Sequence, residues 1–231
     1  MPPKSVRGRP RGAALTPEKI LRCAIRLADE RGIEAVSMRT IAGKLGVEAM
    51  ALYNHVAGKD EILGGIVDLV VSEIDVPAGG SDWRASMRRR AISAHEVLLR
   101  HPWASALIES HAGPGPIRLK YADSVLGVLR NAGFSIELAY EAFLTLDSYI
   151  YGFALQEVNW PSPPNEVPAA MARLRPQIPA SEYPHVNEVM DFVTRRRAES
   201  AKAAYEAEFA FGLELILDGL ERTLQASEKT D

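Results

Sequence analysis

The side chains best suited to chemistry lie close together, between residues 39 and 59. The two-pronged guanidinium of Arg39 fits the acceptor pair of guanine, Glu48 can accept from cytosine N4, and Met50 can touch a thymine methyl group. Glu48 and Met50 are also suited to cap or pad the start of a helix. Hydroxyl, imidazole and ammonium groups nearby suit phosphate oxygens, which fix position more than sequence. The full candidate set for contact with DNA is Arg39, Thr40, Glu48, Ala49, Met50, Tyr53, Asn54, His55 and Lys59.

The sequence carries no recognisable catalytic or metal-binding pattern. The five histidines, at positions 55, 95, 101, 111 and 185, are scattered without metal-ligand spacing. There is no HExxH or GxSxG motif and no phosphate-cradling glycine loop. The single cysteine, Cys23, falls on a helix face with the pattern of a core. We therefore expect no enzyme activity, no cofactor and no metal site.

Charge is divided unevenly along the 231 residues, although the net charge is only −3. Residues 1–60 carry 11 basic and 6 acidic side chains, which gives +5, whereas residues 61–231 carry −8. A basic head predicts a polyanion partner, with a chance excess of exposed arginines as the alternative. The longest apolar stretch, residues 62–71, is interrupted by Asp68, and a lone cysteine makes no internal disulfide. We therefore expect a cytoplasmic protein without a membrane span.

The N-terminal arm contains the sequence RGRPRG at residues 7–12. A flexible cationic segment of this kind suits the narrow, negative minor groove of A·T-rich DNA, so we expect Arg7 and Arg9 to contact DNA. A merely solvated tail is the alternative. The arginine triplets at 88–90 and 195–197 are more typical of solvated helix faces or of partners for nearby carboxylates, and they carry no functional prediction.

Short helices must position the candidate DNA-contacting residues. Pro17 predicts a helix start and Gly32 predicts its end. Ser37 is suited to cap a second helix, and Gly46 suits the left-handed residue of a tight turn. A third, short helix follows from about residue 48 to 55, and a fourth runs from about 59 to 74. Two helices joined by a tight glycine turn fit a helix-turn-helix, whose second helix lies in the major groove.

The remainder of the chain is helical in pattern as well, so we expect an all-α fold. Two helices, at 139–158 and 201–225, carry apolar residues on more than one face. Because a single small domain does not easily bury both faces, we expect these helices to form a homodimer interface, with two central core helices as the alternative. Helices are predicted at 82–100, 103–111, 117–131, 135–158, 186–197 and 201–225.

The segment between residues 159 and 184 differs in composition from its surroundings. It holds 7 of the 15 prolines of the chain, which favours irregular backbone over helix. We expect a mobile loop, and long loops in compact domains are often lids. Trp160 and Met171 are then expected either to border a ligand entrance or to fasten the loop.

Two motif regions resemble the tetracycline-repressor (TetR) family of bacterial regulators. Residues 45–59, LGVEAMALYNHVAGK, are similar to the recognition helix and the start of the fourth helix in that family. Residues 133–135 (GFS), 151–155 (YGFAL) and 209–221 (FAFGLELILDGLE) resemble the dimerisation helices of the tetracycline-repressor branch. The resemblance covers nearly the whole chain, and it implies an all-helical homodimer whose fourth helix links a ligand cavity to the DNA-reading head.

This sequence departs from the branch at Ala49 and Gln156. Ala49 replaces a polar base-reading side chain, which predicts a different operator. The branch chelates a metal–tetracycline complex through a histidine and an acidic water ligand. His111 is the histidine nearest the first place, and Gln156 occupies the second. Recognition of tetracycline is therefore not carried over by the resemblance.

We interpret the sequence as a ligand-responsive repressor, released from double-stranded operator DNA by a small-molecule inducer. The alternative is a helical DNA-binding dimer whose C-terminal domain binds a protein partner or no ligand. The expected segments are a flexible basic arm (1–14), a helix-turn-helix domain (15–58), a helical ligand-binding and dimerisation domain (59–225) and a tail (226–231). The candidate ligand-binding residues are Trp103, Leu107, His111, Val125, Phe143, Asp147, Tyr151 and Trp160.

Overall fold

The computed structural model describes residues 14–76, 82–110, 115–160 and 166–227, and these residues form helices and no strand, which confirms the all-α prediction. No helix within these ranges is long and apolar enough to cross a membrane. The helices, in chain order, are α1 (Pro17–Arg31), α2 (Met38–Leu45), α3 (Ala49–Leu52), α4 (Lys59–Val71), α5 (Trp83–Arg100), α6 (Ala104–Ser110), α7 (Pro116–Asn131), α8 (Ile136–Val158), α9 (Val167–Leu174), α10 (Pro184–Glu199) and α11 (Ala201–Ser227).

The chain forms two compact units. The first, the head unit, comprises the chain up to Glu73 together with Trp103–Leu119, and the second, the body unit, comprises Ile74–Pro102 together with the chain from Lys120 onward. Helix α4 therefore groups with the head by its contacts, whereas the sequence analysis assigned it to the ligand-binding domain. The functional boundary near residue 58 stays a prediction.

Local signals fix the helices of the head unit. The Thr16 side chain accepts a hydrogen bond from the Lys19 backbone N–H at 3.3 Å and so caps α1. Helix α1 ends at Gly32, whose φ of 80° lies in the left-handed region. The apolar faces of the helices of the head unit then close over a common core, formed by Ile20, Leu27, Ile41, Leu52 and Ile66.

The turn between α2 and α3 depends on Gly46. Its φ of 69° and ψ of 31° are left-handed, so a residue with a Cβ atom would be strained there. The Val47 backbone N–H donates to the Ala42 carbonyl at 3.0 Å and closes the turn. Helix α3 ends at Leu52, three residues earlier than predicted, because the chain turns there and the N–H groups of His55 and Val56 both donate to the Leu52 carbonyl.

In the body unit, α5 packs against both α8 and α11. Met87 and Leu98 of α5, Leu146 of α8 and Leu217 of α11 are among the side chains that fill this core. At the start of α5, Arg84 donates to three acidic side chains of α11 at 2.6–3.0 Å. These partly exposed ion pairs fix the position of α5 on α11.

The expected loop at 159–184 is partly wrong, because the structure places α9 and a 3-10 turn (Arg175–Gln177) within it. The second residue of α9 is Pro168, where a missing N–H breaks no helical hydrogen bond. The residues that follow, up to Leu174, are mostly alanine, methionine and leucine, which favour helix. The proline content of the whole 26-residue segment favoured irregular backbone, and these six helix-forming residues were too few to change that average.

Candidate functional site

The helix-turn-helix presents most of the predicted DNA-contacting side chains to solvent. Arg39 on α2 is exposed, and Glu48 lies at the N-cap of α3. Met50 is 73% exposed, which is unusual for a large apolar side chain on a head helix. The remaining members of the set are exposed (Tyr53, Asn54, Lys59) or half-buried (Ala49, His55). We call these residues, together with Thr40, the head surface.

Thr40 has a structural role that the sequence analysis did not predict. The Ser37 side chain caps the Thr40 N–H at 3.2 Å, while the Thr40 hydroxyl accepts from the Ser37 N–H at 3.0 Å, which makes a reciprocal capping box. The same hydroxyl donates to the Ala35 carbonyl at 2.7 Å. Thr40 therefore helps to set the orientation of α2, and its contact with phosphate stays a prediction.

Arg90 is the buried charge at the centre of the body unit, with a side chain only 1% exposed. Its Nε donates to the Tyr121 hydroxyl of α7 at 2.6 Å, and its Nη2 forms an ion pair with Asp147 of α8. Tyr151, one turn after Asp147, also hydrogen-bonds to that carboxylate. The rings of Tyr121 and Phe143 lie 5.2 and 5.5 Å from the guanidinium carbon. We call Arg90, Tyr121, Asp147 and Tyr151 the polar cluster.

The polar cluster is incompletely satisfied. Burial is the largest single influence on Arg90 and opposes its charge, but attraction by Asp147, Tyr121 and Tyr151 together exceeds it and raises the pKa of Arg90 above its ordinary value. The guanidinium therefore stays charged. Its Nη1 is buried and meets no hydrogen-bond partner among the described residues. A buried charged donor without an acceptor is costly, so this N–H group is suited to receive an acceptor from a bound molecule.

The structure divides the predicted ligand-binding residues between the two units. Phe143, Asp147 and Tyr151 lie together at the polar cluster, and Val125 is buried one turn beyond Tyr121 on α7. Trp103 and Leu107 belong to the head unit, where the Trp103 indole donates to Asp29 of α1 at 2.7 Å. Trp160 borders a cavity between α8, α9, α10 and α11. His111, and the arm residues Arg7 and Arg9, lie outside the described residues.

Sequence reasoning missed Arg90 and Tyr121 as members of the cluster. In the triplet at 88–90, Arg88 and Arg89 are exposed as expected, but Arg90 is buried. Arg197 in the second triplet is buried too, and both buried arginines pair with carboxylates. Arg90 follows Met87 by three residues and so lies on the same, apolar face of α5. The helical spacing of the sequence therefore indicated that Arg90 is buried.

Comparison with known proteins assigns the class. The family model "Bacterial regulatory proteins, tetR family" matches residues 20–66, and "Tetracyclin repressor-like, C-terminal domain" matches residues 76–224. Together they cover the helix-turn-helix and nearly all of the body unit. The chain belongs to the TetR family of bacterial transcription regulators.

Three similar proteins show how far the likeness extends. The chain is 30% identical to the tetracycline repressor protein class A from transposon 1721 of Escherichia coli, over 89% of this chain and 90% of that one. It is 29% identical to the transcriptional repressor DrrR1 of Streptomyces coeruleorubidus, over 90% of this chain and 77% of that one. A crystal structure of a possible TetR family regulator from Streptomyces coelicolor A3(2) matches with a TM-score of 0.74 at 30% identity, over 90% and 99% of the two chains.

These relatives are DNA-binding transcription regulators and not enzymes, as the sequence analysis predicted. Among the described residues, no group of three or more histidine, cysteine or acidic side chains could hold a metal ion. The assignment of individual residues to DNA or ligand contact stays a prediction.

Proposed function

We propose that this protein is a repressor that binds a roughly palindromic operator as a homodimer and is released from it by a small-molecule inducer. Membership of the TetR family and the repressor names of the relatives support the DNA-binding half. The main support for the ligand-binding half of the proposal is Nη1 of Arg90, a buried charged donor in the body unit that has no hydrogen-bond partner among the described residues.

The head surface supplies the DNA contacts in this proposal. The exposed Arg39 reads a guanine, while Tyr53 and Lys59 hold phosphates on either side. The arm residues Arg7 and Arg9 add minor-groove contacts. Two heads must then lie one helical turn of DNA apart, roughly 34 to 36 Å, to enter successive major grooves.

A second copy of the chain covers the exposed apolar faces of α8 and α11. Phe211 and Leu215 on α11 are 69% and 56% exposed in the single chain, and they lie one turn apart. Leu144 and Leu155 on α8 are 45% and 43% exposed. Apolar faces of this size on two long helices favour an isologous helical interface, in keeping with the dimers that this family forms.

The inducer binds at the polar cluster, where it presents an acceptor to Nη1 of Arg90. A carboxylate, an enolate or a carbonyl oxygen would complete the hydrogen bonds of this guanidinium. Phe143, Tyr121 and the buried Val125 would contact the apolar part of the molecule. An aromatic compound with an acidic or carbonyl group fits this chemistry.

An ion pair in the head unit is suited to transmit the binding event. Asp68 of α4 accepts from Arg118 Nε at 2.7 Å, close to the start of α7. Gly115 packs so closely against Asp68 that a Cβ atom there would clash with its carboxylate. Tyr121 follows Arg118 by one turn on the same helix. A ligand that moves α7 at Tyr121 would therefore move α4, with a typical coupling of about 1 to 3 kcal/mol.

Fluorescence anisotropy tests the DNA-binding half. The full chain is titrated onto the duplex upstream of its own gene and onto a scrambled duplex, at about 150 mM salt. We expect the native duplex to bind about 10³-fold or more tightly. Equal binding of the two duplexes would contradict sequence-specific regulation at this operator.

The ligand-binding half is tested by adding a panel of aromatic carboxylates and phenols to the protein–operator complex. We expect at least one compound to release the operator by a factor of about 5 to 150. Asp68→Asn should bind the operator normally but respond less to that compound, since its link between α4 and α7 is weakened. Failure of the whole panel to release the complex would overturn induction through Arg90.

A further inference from the structure

The body unit contains a cavity that the polar cluster does not use. It lies between α5, α8 and α11 and has a volume of about 450 Å³, which falls in the range of sites for small organic molecules. We call it the lateral cavity. Its lining includes Ile92, His95, Leu99, Glu157, Tyr205 and Phe209.

The lateral cavity is distinct from the polar cluster and from the proposed dimer interface. Glu157 lies ten residues beyond Asp147, about 15 Å along α8. Phe209 and Glu157 are each two residues from an exposed apolar residue of the proposed interface, Phe211 and Leu155. Two residues correspond to about 200° around a helix, so the cavity faces away from that interface.

Aromatic groups form part of the cavity wall. The His95 ring is stacked on Phe209, with ring centroids 4.2 Å apart and planes 9° from parallel. Tyr205 lies one turn before Phe209 on α11 and lines the same cavity. Aromatic faces carry negative potential, which attracts an organic cation and stacks well against a planar one.

Glu157 provides a negative charge at the cavity. Its side chain is only 12% exposed, and its Oε2 lies within hydrogen-bond distance of His95 Nε2, at 3.0 Å. Burial lowers the pKa of His95, so this imidazole is neutral at pH 7 and does not balance the carboxylate. Burial also raises the pKa of Glu157, because the charged carboxylate loses contact with water and no cation is bonded to it.

The other charged groups nearby are already balanced. Glu96 and Arg100 of α5, and Lys202 and Glu206 of α11, contribute each sign twice at the cavity. Arg197 of α10 attracts the Glu157 charge from a greater distance. Its own guanidinium is bound to Glu208 at 2.6 Å and lies over the Tyr205 ring. Arg196 also pairs with Glu208, at 3.7 Å. No lysine or arginine among the described residues makes a direct ion pair with Glu157, so a cationic ligand would add the first such contact.

A second cavity, of about 330 Å³, shares Glu157 and Tyr205 with the lateral cavity. Phe153, Trp160 and Met171 also line it. The carboxylate thus borders two cavities with aromatic and apolar walls. A neutral or anionic aromatic compound would leave Glu157 with the His95 imidazole as its only direct partner among the described residues, whereas a cation would add an opposite charge.

We propose that the lateral cavity binds an aromatic organic cation, with its ring system against Phe209 and Tyr205 and its positive charge at Glu157. This site is separate from the inducer site at Arg90, which selects an acceptor-bearing molecule. The two sites together would let one regulator respond to two chemically opposite classes of compound.

Thioflavin T, an aromatic cation whose fluorescence rises when it is immobilised, tests this site on the full chain without DNA. The aromatic anion 8-anilinonaphthalene-1-sulfonate, of similar size, is titrated in parallel. We expect saturable binding of thioflavin T, weakened about tenfold or more in Glu157→Gln. Binding of the anion should be unchanged or stronger in that variant, because the repelling charge is gone.

Matched variants decide where the cation binds. Glu141→Gln removes an exposed carboxylate from the same helix and should leave thioflavin T binding unchanged. Phe209→Leu should weaken it while the Glu157 charge remains, and thermal unfolding checks that each variant is folded. Unchanged affinity in folded Glu157→Gln, or loss in Asp147→Asn instead, would overturn the proposal. Because operator DNA is absent, failure here is distinguishable from failure of the proposed repressor function.

Discussion

The head and body units place their charged functional groups in opposite surroundings. In the head, Arg39 and Lys59 are exposed, and the fold acts on them through short local features such as the Ser37 cap and the Gly46 turn. In the body, Arg90 is almost fully buried and is held by partners from two other helices. Arginine is therefore solvated in one unit and desolvated in the other, and the proposed partners, a polyanion and a small ligand, match these two surroundings.

This difference predicts different consequences of mutation. An exposed arginine contributes little to stability, because water solvates it when its partner is removed. A buried arginine leaves an uncompensated charge behind when it is removed. Substitutions in the head should therefore change DNA binding more than folding, and substitutions in the polar cluster should change folding first.

The largest effect is expected from Arg90→Met. Removing the guanidinium leaves the Asp147 carboxylate buried and unpaired, which should lower the free energy of unfolding by about 3–5 kcal/mol. Urea unfolding followed by far-UV circular dichroism measures the loss. The double variant Arg90→Met/Asp147→Leu should recover most of it, because an apolar pair of similar volume carries no buried charge. A loss as large in Arg88→Met, an exposed neighbour, would contradict the comparison.

Arg39→Ala should have the next largest effect, on DNA binding and not on folding. Loss of a base-reading guanidinium is expected to weaken operator binding by about 1–3 kcal/mol and to relax the preference at one base pair. Anisotropy on the native and singly substituted duplexes measures both. Arg22→Ala, which removes an exposed arginine paired with Glu18 on α1, is the control and should bind normally.

Ser37→Ala should destabilise the head locally by about 1 kcal/mol through loss of the α2 cap. Cys23, the single cysteine, is buried in the head, and burial raises the pKa of its thiol, so it reacts slowly in the folded state. Its labelling by a thiol reagent should accelerate about fivefold in this variant.

The control for Ser37→Ala removes a cap of the same kind from the body. Ser135 caps α8 by accepting from the Leu138 N–H at 3.1 Å. Ser135→Ala should leave the labelling rate of Cys23 unchanged if the two units open independently. Equal acceleration by both variants would show that the units open together.

Lys59→Ala is expected to have the smallest effect. Loss of one phosphate contact should reduce the slope of log affinity against log salt by about 1, while the preferred sequence stays the same. Lys44→Ala is the matched control, because Lys44 is exposed in the same unit but pairs with Glu30 at 3.0 Å. An unchanged slope for Lys59→Ala would remove this residue from the DNA contacts.

Much of the fold could be predicted from the sequence because its signals are local. Gly46 and Ser37 mark the turn and the cap by their own chemistry, and the structure places both as predicted. The helix ends at residues 100, 131 and 158 also agree with the apolar periodicity. The loop at 159–184 was the failure, since seven prolines outweighed the helix-forming run near Met171.

The DNA-contacting candidates were easier to select than the ligand-binding ones. Whether a side chain on a short helix is exposed depends mainly on its position around that helix, so the head surface could be chosen by periodicity. Trp103 and Leu107 were assigned to a ligand cavity without knowledge of which helices they contact. The Trp103 indole donates to Asp29, a residue 74 positions earlier in the chain, and its contact with a ligand stays a prediction.

The sequence by itself determined the class of fold, the helix-turn-helix and the exposure of most residues of the head surface. These follow from capping, glycine geometry and a period of 3.6 residues, all of which act within a few positions of the chain. Only the tertiary structure decided that Arg90 is buried and that one of its N–H groups lacks a partner. Its partners Tyr121 and Asp147 are 31 and 57 positions away, and burial is a property of the packed helices together.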